Sequence, residues 1–146
     1  MTTDIMTGTY RTECTAVDRD DLISEFVRVS ADMAFWNEQY ADAHQTWIDA
    51  KVTKDQQRVA LYKESQDRLL LNAKGRVTIA EITAEVEGDP EYHEVVRLVS
   101  VAEDLKLRVS GTCEAIRCKK DMLISLGAHI RAELSGDPSI REAAGT

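Results

Sequence analysis

A basic segment between residues 51 and 76 holds the side chains best suited to a binding chemistry. It contains seven Lys and Arg residues against three Asp and Glu, whereas the whole 146-residue chain has a net charge of −8. Cations spaced along a helix can neutralise phosphates, and an aromatic ring among them can stack on a base. The segment therefore predicts a nucleic-acid-binding surface. Its candidate residues are Lys51, Lys54, Arg58, Tyr62, Lys63, Arg68, Lys74 and Arg76.

An acidic stretch offers a second interpretation of the same charges. Residues 77–104 contain eight acidic residues and one basic residue, and they follow the basic segment directly. If the chain folds back on itself, the two stretches can pair with each other and leave few cations for a ligand. Both interpretations stay open at the level of sequence.

Catalytic and metal-binding patterns are missing from the chain. His44, His93 and His129 are far apart, and Cys113 and Cys118 are five positions apart, which is not the spacing of a zinc or redox pair. There is no phosphate-binding loop, no dinucleotide-binding fingerprint and no nucleophile elbow. The sequence therefore predicts a protein that is not an enzyme and that holds no metal or cofactor.

The element that must position the basic segment is a long helix. No glycine or proline occurs in the 66 residues between Gly8 and Gly75, and a sheet would need turns within that length. Apolar residues recur there at alternating spacings of four and three, which is a heptad pattern. They are Leu22, Phe26, Val29, Met33, Trp36, Tyr40, Ala43, Trp47 and Ala50.

The pattern changes after Ala50, because Lys54 and Gln57 occupy the next heptad positions. A new apolar stripe is predicted at Val52, Val59, Tyr62 and Leu69. A fresh helix can start near Thr53, or one helix can continue through a stutter or a mild kink. Continuity is favoured, since no residue nearby would stop a helix.

A short helix and a second long helix are predicted to follow. Gly75 is expected to cap the first helix, Thr78 and Glu81 match a capping box, and Asp89-Pro90 reads as an N-cap with proline in the first turn. From Pro90 to about Ser135 the heptad spacing resumes. The predicted fold is all-α: two long heptad-patterned helices form a hairpin domain over residues 18–135, joined by a short helical elbow. Residues 1–17 and 136–146 are predicted to be flexible.

Such a hairpin encloses little core, so self-association is expected. Phe35 and Trp36 are adjacent, which places large rings on more than one side of the first helix. The predicted oligomer interface consists of Phe26, Met33, Phe35, Trp36, Tyr40, Trp47, Leu123, Leu126 and Ile130.

Cysteine usage and the first residues indicate the compartment. Three cysteines are too few for a disulfide framework, the N-terminus lacks a basic and then apolar signal, and no apolar run could span a bilayer. A cytoplasmic protein is therefore expected.

The order of these parts resembles the UvsY-type phage recombination mediators. The resemblance covers about residues 35–134 and includes Trp36-Asn37, the basic helix 51–74 and the stretch Val109–Arg117, which is similar to a Ser-Gly-rich segment of the family's long C-terminal helix. The resemblance implies a non-enzymatic protein that binds single-stranded DNA. Its implied partners are a single-strand-binding protein, which it helps to displace, and a RecA-like recombinase, which it loads. It also implies a ring of six or seven subunits. Unlike the family, this chain is strongly acidic.

A protein of a different class remains an alternative. Residues 1–50 contain ten acidic residues and three basic ones, together with Phe35, Trp36 and Trp47. Such a helix could occupy a basic surface on a partner. The alternative is therefore a protein-only helical adaptor, scaffold or inhibitor.

Overall fold

Three α-helices make up almost all of the described chain. The computed structural model describes residues 14–18, 21–72 and 76–136. Helix α1 spans Leu22–Asn72, α2 spans Ile79–Glu87 and α3 spans Pro90–Gly136, with no strand in the described ranges. The predicted all-α class is confirmed. Most of the two predicted flexible segments, and the predicted cap at Gly75, lie outside the described residues.

Helix α1 is continuous through Val52, as the absence of a breaker predicts. It begins where the Ser24 backbone N–H donates to Asp21 Oδ1 at 3.1 Å. Hydrogen bonds from the Ser24 side chain and backbone lower the pKa of the Asp21 carboxyl. An ionised carboxylate at this position also favours the positive end of the helix dipole.

Helix α2 opens with the capping box that the sequence predicts. The Glu81 backbone N–H donates to Thr78 Oγ1 at 3.3 Å, and the Thr78 backbone N–H donates to Glu81 Oε2 at 2.8 Å. The nine-residue helix buries Ile82 and Val86. Helix α3 then starts at Pro90, where the Glu91 backbone N–H donates to Asp89 Oδ1 at 2.7 Å, so the predicted Asp89 cap is confirmed.

The chain divides into two compact units. Unit 1 comprises Met1–Gln39 and Ser110–Thr146, and unit 2 comprises Tyr40–Val109. In unit 1 the beginning of α1 runs antiparallel to the end of α3. The Cys113 thiol donates to the Trp36 carbonyl at 3.2 Å, and Gly127 lies against the Phe26 ring.

The core of unit 1 contains a charged pair. Lys119 Nζ lies 2.6 Å from Glu25 Oε2, and their side chains are 1% and 9% exposed. The same ammonium donates to the Cys14 carbonyl at 3.1 Å, and Cys14 is itself buried. Lys119 therefore joins α3 to α1 and to the segment before α1. Other buried residues of unit 1 are Val29, Trp36, Thr112, Ile116 and Leu123.

Unit 2 brings α2 and the first part of α3 against the second part of α1. Gln57 Nε2 donates to Glu91 Oε2 at 3.0 Å, and Arg68 pairs with Glu85 of α2 at 2.9 Å. The buried apolar side chains of this unit are Ala43, Leu61, Ile82, Val86, Ala102 and Val109.

The predicted apolar stripe after Ala50 is wrong at Val52 and Val59, whereas its other members, Tyr62 and Leu69, are half-buried. Val52 and Val59 are 50% and 70% exposed, whereas Lys54 and Gln57 are half-buried and Leu61 is buried. The first heptad pattern simply continues with polar residues in two of its positions. A helix keeps its register there because Gln57 finds a hydrogen-bond partner, and a lysine can lay its aliphatic stem along a packed surface.

Candidate nucleic-acid interface

The predicted DNA-binding residues do not form one uniform surface. Lys51, Arg58 and Lys63 are exposed, and Tyr62 is half-buried. Within the described residues no carboxylate lies within ion-pair distance of these three cations. Arg76 is exposed beyond α1, and Lys74 lies outside the described residues.

Two of the predicted residues are paired with carboxylates. Lys54 lies 3.6 Å from Asp55, and Arg68 lies 2.9 Å from Glu85. The second contact joins the basic segment to the acidic stretch that follows it. Internal pairing, the second interpretation of the charges, therefore accounts for Arg68 and leaves Lys51, Arg58 and Lys63.

Helical spacing places Lys51, Arg58 and Tyr62 on one face of α1. Positions seven and four apart lie two turns and one turn apart along a helix, so these side chains follow one another. Lys54 is half-buried on the face that packs within unit 2. Lys63 borders an open groove of about 610 Å³, which is also lined by Glu64, Asp67 and Arg68.

A lysine from α3 completes a cationic and aromatic cluster at one end of this face. Lys106 Nζ lies 3.6 Å from the centroid of the Trp47 ring, and Lys51 Nζ lies 4.5 Å from the same centroid. The two ammonium groups therefore lie within about 8 Å of each other. No carboxylate of the described chain pairs with either lysine.

The aromatic part of this cluster is a run of three rings along α1. Tyr40 and His44 stack with centroids 5.9 Å apart, and His44 and Trp47 lie 5.6 Å apart with an interplanar angle of 38°. All three residues are half-buried. His44 Nδ1 and Trp47 Nε1 are buried without a hydrogen-bond partner among the described residues. We call Tyr40, His44, Trp47, Lys51 and Lys106 the Trp47 cluster.

Sequence reasoning missed His44 and Lys106 as members of this cluster. Tyr40, His44, Trp47 and Lys51 follow one another at spacings of four, three and four, so their common face was readable from α1 alone. The approach of Lys106 depends on how α3 packs on α1, which spacing along one helix does not give.

The predicted oligomer interface separates into buried and accessible residues. Trp36 and Leu123 are 1% and 0% exposed within one chain, so they belong to the core of unit 1 and offer no surface to a second copy. Phe26 is 37% exposed. The remaining predicted interface residues are half-buried: Met33, Phe35, Tyr40, Trp47, Leu126 and Ile130.

Metal-ligating side chains do not cluster in the part of the chain that the structure describes. No group of three or more metal-ligating side chains converges in residues 14–18, 21–72 and 76–136. None of the three described helices is long and apolar enough to cross a membrane.

Fold and site together define an all-α protein with an aromatic and lysine-rich cluster in unit 2. Comparison of the chain with protein families, with characterised proteins and with solved structures finds no match.

Proposed function

We propose that this protein is a non-enzymatic recombination mediator that binds single-stranded DNA through unit 2. The observation that supports the proposal is the convergence of Lys51 and Lys106 on Trp47 without a carboxylate partner. Elsewhere on α3, Arg97 pairs with Glu94, Arg108 with Asp104 and Arg117 with Glu114.

Unpaired cations in an acidic protein favour an anionic ligand. Two ammonium groups within about 8 Å of each other repel, and an anion that contacts them offsets that repulsion. Arg58 follows Lys51 on the same face of α1 and adds a second cation there, while Asp55, which lies between them, pairs with Lys54. A polyphosphate backbone is an anion that can follow such a row.

Aromatic rings among the cations favour a single strand over a duplex. The bases of a single strand are free to stack on side chains, whereas those of a duplex are already stacked on each other. Half-buried Tyr62 and the rings of the Trp47 cluster offer such surfaces. Loading of a RecA-like recombinase against a single-strand-binding protein is proposed from the resemblance to the UvsY-type mediators.

The binding step is tested by fluorescence anisotropy of a labelled oligo-dT strand at two salt concentrations. We expect affinity to fall steeply with salt, because each neutralised phosphate releases counterions. The triple variant Lys51→Gln, Arg58→Gln, Lys63→Gln should bind weakly, with a salt slope shallower by about 0.7 per lost phosphate contact.

A matched control removes the same number of charges from another surface. Arg97→Gln, Arg108→Gln, Arg117→Gln changes the net charge equally, but these arginines are exposed and paired on α3. It should keep most of the affinity. Equal losses in both triple variants would contradict the proposed face, and absence of binding by the wild type at low salt would contradict the function.

The loading step needs its own assay. The DNA-dependent ATPase of a RecA-type recombinase should recover on a strand covered by single-strand-binding protein when this protein is added. Recovery by the control triple variant and not by the Lys51, Arg58, Lys63 variant would link loading to the same face.

A second candidate function is the protein-only adaptor. Ile23 and Val27 lie one turn apart on the acidic half of α1 and are 81% and 72% exposed. Exposed apolar side chains with acidic neighbours suit a partner surface that is both apolar and basic. The adaptor function is favoured if the protein does not bind oligo-dT and if the double variant Ile23→Ser, Val27→Ser no longer captures a protein partner.

A further inference from the structure

We infer that Trp47 is a base-stacking residue whose ring is covered by lysine ammonium groups until a DNA phosphate draws one of them away. The inference rests on the proposed single-strand binding and assigns the aromatic contact within it. It adds Trp47, His44 and Lys106 to a surface that the sequence limited to residues 51–76.

Two cations lie over the Trp47 ring. Lys106 and Lys51 lie 3.6 Å and 4.5 Å from the centre of one indole ring. The ring face is thus in contact with charges that also attract phosphate. A phosphate can contact the Lys51 ammonium group, because Lys51 is exposed and has no carboxylate partner in the described chain.

Each group that loses a contact in this exchange gains another. When an ammonium group leaves the ring for a phosphate, it exchanges a cation–π contact for a charge-assisted contact. The uncovered indole face then stacks on the base attached to that phosphate. The phosphate of one nucleotide therefore contacts the lysine, and the base of the same nucleotide stacks on the tryptophan.

The Trp47 cluster also contains buried polar atoms without a hydrogen-bond partner. His44 Nδ1 and Trp47 Nε1 are buried and have no partner among the described residues. Buried polar atoms in folded proteins are generally hydrogen-bonded. Base and sugar polar groups of a nucleotide stacked on Trp47 are candidates for these missing partners.

The geometry favours a strand over a free nucleotide. Arg58 lies seven residues beyond Lys51 on the same face of α1, about 10 Å along the helix axis. A strand whose phosphate contacts Lys51 continues towards Arg58, whereas a mononucleotide gains nothing from that arginine.

The experiment compares oligo-dT with an abasic strand of the same length and charge. The wild-type protein should bind oligo-dT about 5- to 160-fold more tightly than the abasic strand, the range expected for stacking of one base. Oligo-dT, and not the abasic strand, should quench tryptophan emission. The signal belongs to Trp47, because the other tryptophan, Trp36, is 1% exposed.

Variants assign the effect to particular groups. Trp47→Leu should bind both strands with the affinity that the wild type has for the abasic strand, and Trp47→Phe should keep part of the preference. Lys106→Gln should lower the affinity for both strands by a similar factor. Circular dichroism on each variant checks that the helices are retained.

The outcomes separate this inference from the function on which it rests. If the wild type binds both strands equally well, single-strand binding stands and stacking on Trp47 is overturned. If the wild type binds neither strand at low salt, the proposed function fails. If polyglutamate of matched charge quenches Trp47 as strongly as oligo-dT, the cluster recognises acidic chains in general and the stacking inference is overturned.

Discussion

Lys119 is expected to be important for the stability of unit 1. Its ammonium lies 2.6 Å from the Glu25 carboxylate in a nearly dry core. Lys119→Met leaves that carboxylate buried without its partner, which should lower the free energy of unfolding by about 3–5 kcal/mol. Urea unfolding followed by circular dichroism measures the loss.

The double variant Glu25→Leu, Lys119→Met is the control for this prediction. Because it removes both charges, it should be more stable than Lys119→Met alone. If the double variant loses as much free energy of unfolding as the two single variants together, the two side chains are not coupled.

The cysteines should differ in reactivity because their surroundings differ. Burial raises the pKa of the Cys113 thiol, which also donates to the Trp36 carbonyl, whereas Cys118 is exposed. Since the thiolate is the reactive form, iodoacetamide at neutral pH should label Cys118 first. Peptide mapping by mass spectrometry measures this, and labelling of Cys113 at the rate of Cys118 would contradict its burial.

At the scale of elements, α2 depends on its capping box. Thr78→Ala removes the side chain that accepts from the Glu81 backbone N–H, so it should lower the free energy of unfolding by about 0.5–2 kcal/mol. Thr83→Ala, within the same helix but away from its cap, is the matched control. Thermal unfolding should show the larger loss for Thr78→Ala, and equal losses would mean that the cap contributes nothing.

The same cap should respond to acid. The Thr78 backbone N–H, followed by its hydroxyl, holds the pKa of Glu81 below its ordinary value of 4.5. A depressed folded-state pKa gives stability that is present above the unfolded-state pKa and lost as pH falls through the folded-state pKa. Glu81→Gln should therefore show a smaller loss of stability on acidification below about pH 5 than the wild type. An unchanged acid profile would contradict this role.

The elements themselves were largely predictable from local signals. The absence of breakers indicated α1, and Thr78 with Glu81 and Asp89 with Pro90 marked the starts of α2 and α3. The heptad pattern also placed Lys119 on the packed face of α3, although nothing in the spacing identified Glu25 as its partner. The new stripe after Ala50 was predicted because Val52 and Val59 are apolar, although they do not continue the heptad register. Gln57 does continue it, and its hydrogen bond to Glu91 shows how a polar residue can occupy a heptad position.

At the scale of the whole molecule, we expect self-association. Val52, Val59 and Leu71 are 50%, 70% and 86% exposed on α1, which leaves apolar surface for a second copy to cover. Light scattering should give a mass above the 16.3 kDa of one chain. Val59→Glu should lower that mass, whereas Gln66→Glu, also exposed on α1, should not. A wild-type mass of one chain would contradict the expectation.

The candidate site was less predictable than the fold, and the reason is tertiary. Lys51 and Arg58 could be selected by charge, but Arg68 could not be excluded until Glu85 was seen beside it. Lys106 lies 55 positions beyond Lys51 in the chain, and only helix packing brings both to Trp47.

The contact between Lys119 and the Cys14 carbonyl sets an order of events during synthesis. It joins residues 105 positions apart, and the Cys113 to Trp36 hydrogen bond joins residues 77 positions apart. Every residue of unit 2 is synthesised before Lys119. Cys14, which precedes α1, cannot make its contact until Lys119 has been synthesised. Contacts of such long sequence separation form slowly, because a long loop must close first. The nascent chain therefore exposes Val29 and Trp36 for most of its translation, and these side chains are the surface on which a chaperone would act.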